Sequence, residues 1–247
     1  MEELFKMPER ISFSDKKLNP MERILNLSRY EYAAYFINQS KTEKQPAVLD
    51  AACGFGDGSK ILQKKTRALV TGIDNDSSLI KSLTKKNNSK KIKFVVGNIK
   101  SLPFKDQTFD FIVCFETIEH LKKEEGLKAL LEFKRVLKKN GFLIISSPNA
   151  QLTRLIKEAF PKYHNPFHLH EYEPEKLKNL LTKIKMKVVS TKGQYLFFPL
   201  AYLFPRFFSF LKFLFLPSQF FPLCLSRYFI FIAKRIETPR ALSPRNL

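Results

Sequence analysis

A chain of 247 residues with 44% apolar and 13% aromatic side chains fits one α/β domain carrying an insertion, with two small domains as the alternative. Cys53, Cys114 and Cys224 share no metal-ligand spacing and make no disulfide framework, so a reducing compartment is expected; MEELFKMPER holds no apolar segment of the kind a secretory signal needs. The excess of 43 basic over 23 acidic residues, +20 in all, fits a polyanionic partner such as nucleic acid, anionic lipid or an acidic glycan, although a Lys-, Asn-, Ile- and Phe-rich coding bias would produce it as well.

In chain order, residues 20–39 place Ile24, Leu27, Tyr30, Ala34 and Tyr35 near one helical face and read as an amphipathic helix. Strands follow at AVLD (47–50), LVTGID (69–74), IKFVVGN (92–98), FDFIVCF (109–115) and FLIISS (142–147). Helices fall between them, one from Ser59 and one over 124–137. Strands that alternate with helices and read as continuous apolar runs predict a parallel sheet covered on both faces, in a doubly wound, Rossmann-like α/β fold. A further helix starts near Pro174, a strand covers 186–193, and RYFIFIAKR (227–235) reads as the last strand.

VLDAACGFGDGS (48–59) runs from a buried strand straight into a helix, and Gly54, Gly56 and Gly58 let the backbone pass close beneath a ligand. Asp74 ends the next strand, where a carboxylate can accept from both hydroxyls of a ribose. Asp50 and Asp57 flank the turn and would repel a pyrophosphate, while the ammonium and sulfonium of S-adenosylmethionine would be welcome. The charge pattern therefore favours that cofactor over a dinucleotide.

RYEYAAYF, VLDAACGFGDGS, GIDNDS, GNIKSLPFKDQTFDFIVCFETIEHL, RVLKKNGFLIISSPN, NPFHLHEYEPEKLKNLL and GQY, read in order over residues 29–195, resemble the class I S-adenosylmethionine-dependent methyltransferases. More narrowly, they resemble the bacterial type-11-like group, whose members are often linked to cell-surface glycan or lipid modification. The resemblance implies a mostly parallel seven-stranded sheet with an antiparallel last strand, built from 46–193 and 227–236 and preceded by a helical segment over 1–45. It implies that Asp50, Ala52, Gly54 and Gly56 line the methionine end of the cofactor, and that Asp74 and Asn75 meet the ribose. Asn98 and Ile99 would flank the adenine, and Phe115 would close the pocket. Two positions depart from the group's habit, Ala52 for Gly and Asn98 for Asp.

Methyl transfer needs an oriented nucleophile and, for oxygen, a base. Glu116, Glu119 and His120, in FETIEHL, share a face if helical, and His168 lies beyond the fifth strand on the ligand-bearing edge. These four are the candidate catalytic residues, with packing roles for the two histidines as the alternative; His164 and His170 are read as surface residues. The set also resembles that of small-RNA 2′-O-methyltransferases, in which two Glu and two His hold a divalent metal. Since E-x-x-E-H occurs across type-11-like enzymes with no known metal role, no metal is expected.

In this fold the last two strands normally meet in a short turn, whereas here 33 residues, 194–226, intervene. Their apolar run, YLFFPLAYLFPRFFSFLKFLFLPSQFFP (195–222), is broken by Arg206, Lys212 and four prolines, too interrupted for two membrane crossings. From Lys176 to Ile236 there are eleven basic residues, twelve Phe and no acid, a mixture suited to an anionic headgroup layer or to a lid over a lipid substrate. A homodimer interface is the other reading; nucleic acid is disfavoured because Leu and Pro outnumber anything polar. The tail 237–247 reads as disordered. The expected function is transfer of a methyl group from S-adenosylmethionine to an oxygen of a small-molecule or lipid-linked acceptor: a lipid-linked glycan, a quinone-like ring or a polyprenyl compound. The expected place is the cytoplasm, on the inner face of the membrane. The rival functions are a metal-dependent RNA 2′-O-methyltransferase and a binding module that keeps the fold without catalysis.

Overall fold

The computed structural model describes residues 12, 18, 20–40, 45–159, 165–196, 217–219 and 222–236. Seven strands form one sheet: β1 (Ala47–Ala51), β2 (Leu69–Asp74), β3 (Ile92–Val96), β4 (Phe109–Cys114), β5 (Leu137–Pro148), β6 (Met186–Leu196) and β7 (Ser226–Arg235). Their order is β3-β2-β1-β4-β5-β7-β6. The first five pair in parallel, and β7 lies antiparallel to both β5 and β6, as the family resemblance implied. The crossover helices are α2 (Asp57–Lys65), α3 (Ser77–Lys86), α4 (Lys123–Val136) and α6 (Pro174–Lys183), with α1 (Pro20–Gln39) leading and α5 (Ala150–Ala159) following β5.

Strand side chains alternate between the two faces, which explains the continuous apolar runs. Leu49, Ile112, Phe229 and Phe231 pack with Phe133 of α4 and Leu177 of α6. Val48, Phe111, Val113, Ile230 and Ile232 pack on the other face with Ala33 and Ile37 of α1 and Leu62 of α2. Phe111, Phe133, Phe229 and Phe231 are fully buried, each worth roughly 2–3 kcal/mol of apolar transfer.

The inward face of α1 differs from the expected one. Tyr35 is 62% exposed, while Leu25, Ser28, Arg29, Tyr30, Ala33, Ala34 and Ile37 are buried. The helix has turned a serine and an arginine inward because their partners are supplied by other strands. Helix α5 was not expected, and β5 starts at Leu137, five residues ahead of the predicted FLIISS, through the bulged pairing around Phe109 and Phe111. Strand β6 continues to Leu196, and Gly193 and Ser218 exchange backbone hydrogen bonds of 3.0 and 2.9 Å. Most of the Phe-rich stretch (197–216, 220 and 221), His164 and the tail 237–247 lie outside the described residues, so the lid, membrane-face and disorder readings fall there too. Among the described residues, no helix is long and apolar enough to cross a membrane.

Candidate active site

The carboxyl ends of β1, β2 and β4 open onto one cavity of about 370 Å³, within the span of small-molecule sites. Of the sequence-predicted residues, Ala52, Gly54, Asp74, Asn75, Asn98, Ile99, Phe115, Glu116, Glu119, His120 and His168 line it. Asp50 and Gly56 do not; they hold the turn from beneath.

Between β1 and α2 the backbone enters the left-handed region three times, at Ala52 (φ 58°), Gly54 (φ 50°) and Gly56 (φ 72°). A Cβ at Gly56 would come within 2.9 Å of the Phe94 ring, whereas one at Gly54 would meet nothing within 4 Å, so Gly54 fronts open space. Ala52 occupies a conformation that costs an L-residue roughly 1–2 kcal/mol. Ala52→Gly relieves that strain against a smaller unfolded-state entropy cost, and a net gain of about 0.5 kcal/mol in chemical denaturation is expected. A loss of stability would show that the Ala52 methyl packs usefully.

Asp50 is 1% exposed and accepts hydrogen bonds from the Ser59 hydroxyl (2.6 Å) and the Tyr30 hydroxyl (3.1 Å). Burial pushes its pKa up to about 6, against those two hydrogen bonds. Its role is to tie α1 and α2 under the turn. Asp74 accepts from the Gly54 amide through Oδ2 and from the Asp76 amide through Oδ1, both at 3.0 Å, which fixes the carboxylate at the cavity edge. The Asn98 Oδ1 accepts from the Lys100 amide at 2.9 Å, and its neighbour Ile99 forms a buried apolar wall. Tyr30 and Phe115 meet edge to face at 5.0 Å between this lobe and the next.

Arg29 was missed by the sequence reading. It is 2% exposed and lines the cavity. Its Nε donates to Gln194 Oε1 at 2.7 Å and its Nη1 to Asn26 Oδ1 at 3.1 Å, and the guanidinium stands 4.5 Å from the centre of the Tyr228 ring. Nη2 has no hydrogen-bond partner among the described residues; Glu116 is an ion-pair neighbour at 3.6 Å. A buried guanidinium nitrogen that makes no hydrogen bond, in one cavity with a glycine turn, fits the carboxylate of an amino-acid-bearing cofactor. The visible signal was one cation, Arg29, between Leu25 and Ala33 on the face that also carries Ser28 and Tyr30.

The acceptor-side residues separate into two groups. Glu116, with a left-handed φ of 46°, accepts from Ser146 Oγ at 2.6 Å and turns toward Arg29. Glu119, His120 and His168 come together, each offering an atom within 4.8 Å of the others. Glu116 therefore does not join them, and the four-ligand arrangement of the metal analogy is not assembled. The His120 Nδ1–H donates to the Phe167 carbonyl (3.0 Å), which makes Nε2 the basic nitrogen of its neutral ring. The His168 Nδ1–H donates to Glu171 Oε1 (2.7 Å), and its Nε2 accepts from the Asn165 amide (2.9 Å). Asn165 Oδ1 is itself taken by the Phe167 amide at 3.0 Å, which fixes the amide's orientation. Burial works against ionisation of Glu171, but the His168 hydrogen bond and the Lys157 charge hold its pKa below the usual range. The spacing N-x-x-H-x-x-E was the available clue to Asn165 and Glu171. His170 is half-buried, edge-on to Tyr172 at 4.6 Å, rather than a plain surface residue.

Glu119 is fully buried, with Oε1 unpartnered among the described residues; burial first and Glu116 second push its pKa well above the carboxylate range. Its backbone carbonyl accepts from Leu169 (2.8 Å) and His170 (3.0 Å) and holds the histidine loop against the site. The folded state keeps the Glu119 proton at pH values where the unfolded chain releases it. Above the ordinary value of 4.5, stability therefore falls by ~1.4 kcal/mol per pH unit up to the folded-state pKa. Glu119→Gln removes this cost, so its melting-temperature advantage grows as the pH rises above the ordinary value of 4.5; an advantage independent of pH would contradict a neutral Glu119.

Residues 49–145 match the family described as methyltransferase domain. A probable S-adenosylmethionine-dependent methyltransferase of Mycolicibacterium smegmatis is 31% identical over 59% of this chain and 54% of its own length. A demethylmenaquinone methyltransferase of Thermotoga maritima is 31% identical over 55% of this chain and 63% of its own. The chain thus spans less than two thirds of either relative. Magnesium protoporphyrin IX methyltransferase from Synechocystis, solved with bound S-adenosylhomocysteine, superposes with a TM-score of 0.65 over 90% of both chains at 16% identity, a likeness of fold. Residues 49–145 thus match a methyltransferase domain, and the strand order around the glycine turn gives the chain the fold of a solved methyltransferase.

Proposed function

We propose that the chain transfers the methyl group of S-adenosylmethionine to an oxygen of a hydrophobic or lipid-linked acceptor at a membrane surface. The observation that carries the cofactor assignment is that Asp74 and Arg29 line one cavity: a fixed carboxylate for the ribose end and a buried Nη2 without a hydrogen bond for the amino-acid end. The bound cofactor supplies a methyl group already activated on a sulfonium. The chain's own residues then orient the acceptor and receive its proton. An acceptor hydroxyl would give its proton to His120 Nε2, or to His168 once Asn165 gives up its Nε2. Glu119, neutral and buried beside them, provides a hydrogen-bonding wall rather than a second base.

The acceptor class is supported by the Phe-rich basic stretch 195–222 and by a relative named for a quinone-type substrate. The test is incubation of purified protein with methyl-labelled S-adenosylmethionine and host extract, followed by separation of lipid, glycan, RNA and protein. Label in lipid or lipid-linked glycan is expected. Label in RNA that is lost on chelation would replace this reading with a metal-dependent one centred on Glu119, His120 and His168.

A further inference from the structure

Gln194 is fully buried near the end of β6, 165 positions from Arg29 in sequence, and every polar atom of its side chain is used. Oε1 accepts from Arg29 Nε at 2.7 Å, while Nε2 donates to the Leu25 carbonyl at 2.9 Å and to Ser28 Oγ at 2.8 Å. Those two acceptors fix which end of the amide faces Arg29. The strand is bent to allow it. Tyr195 adopts a left-handed φ of 59°, unusual for a bulky residue, between the paired positions Gln194↔Tyr228 and Leu196↔Ser226. Consecutive strand residues normally face opposite sides, yet Gln194 and Tyr195 both meet α1, the first at Leu25 and Ser28 and the second in a cluster with Leu25.

We propose that Gln194 is a positioning residue: it locks the Arg29 fork so that Nη2 alone is presented to the carboxylate of the cofactor's amino-acid end. This rests on the cofactor assignment above. An arginine held at Nε by Gln194, at Nη1 by Asn26 and on its face by Tyr228 has already lost its rotamer freedom before the ligand arrives. Gln194 touches neither cofactor nor acceptor in this scheme. It acts through Arg29, and the kinked end of β6 keeps it in reach.

The test compares two probes on the full chain by titration calorimetry: S-adenosylhomocysteine, which carries the amino-acid group, and 5′-methylthioadenosine, which lacks it. The wild-type protein should prefer the first. Gln194→Met, similar in size but without the amide, should weaken S-adenosylhomocysteine on the order of tenfold and leave 5′-methylthioadenosine within about twofold. Equal weakening of both probes, or no weakening in a folded variant, overturns the proposal. Should Gln194→Met fail to fold, Arg29→Lys replaces it, keeping the cation but lacking the fork. Loss of the preference supports positioning, and a preserved preference shows that charge alone suffices and overturns it. A wild-type protein that binds neither probe fails the cofactor assignment itself, whereas one that binds both equally well fails only the role of Arg29 and Gln194.

Discussion

Asp74→Ala is expected to weaken S-adenosylhomocysteine binding by about 10²–10³-fold, the value of two charge-assisted hydrogen bonds to a ribose diol. The carboxylate is 4% exposed and already oriented by the Gly54 and Asp76 amides, so the ligand meets a group that has little freedom left to lose. Removing it also strips the Gly54 amide of its acceptor at the point where the turn fronts the cavity. Asp74→Asn separates the two contributions, because one amide oxygen can still hold a backbone N–H while the charge is gone; it should fall between the wild type and Asp74→Ala. Calorimetric titration of the three proteins, with melting curves to confirm folding, checks the order. An affinity change below about tenfold for Asp74→Ala would remove this residue from the ribose site.

The second large effect concerns the joint between α1 and α2. A Cβ at Gly58 would lie 2.0 Å from the Tyr30 ring and 2.5 Å from its hydroxyl oxygen. Tyr30 has little room to withdraw, since its hydroxyl binds Asp50 and its ring abuts Phe115. Gly58→Ala should therefore cost about 2–3 kcal/mol, the usual penalty for overpacking a close-packed site, and lower the melting temperature by roughly 5–10 °C. Tyr30→Ala removes the obstacle, so adding Gly58→Ala to Tyr30→Ala should do almost nothing further. A thermal-denaturation cycle over the four proteins measures the coupling directly. Additive losses would mean that the helix contact, and with it the placement of Arg29 one residue earlier, is set by something other than this fit.

The sheet was legible because its evidence is local. Each parallel strand is buried on both faces and so reads as an apolar run, and the glycines and Asp74 stand at the strand ends where the fold collects ligands. Gly54 and Asp74 could be placed on that basis, while Ala52, Asn75, Asn98, Ile99 and Phe115 came from the family resemblance, and all of them line one cavity. Helix α5 was not legible, since ISSPNAQLTRLIKEAF reads at its start like the continuation of a strand into a loop. The histidine pair was anticipated as residues but not as chemistry. Which ring nitrogen carries the proton depends on Phe167, Asn165 and Glu171, whose groups reach the rings only after the loop folds back on Glu119.

The amino-acid sequence by itself determined the strand order's raw material, the turn that admits a ligand, and the acid that ends β2, because periodicity and chain geometry act over a few residues. Only the tertiary structure decided that Arg29 faces inward, that Glu116 joins it rather than Glu119, and that Gln194 holds it in place. The physical reason is that a polar side chain can be buried only where partners satisfy it, and those partners come from strands whose sequence positions say nothing of their neighbours in space.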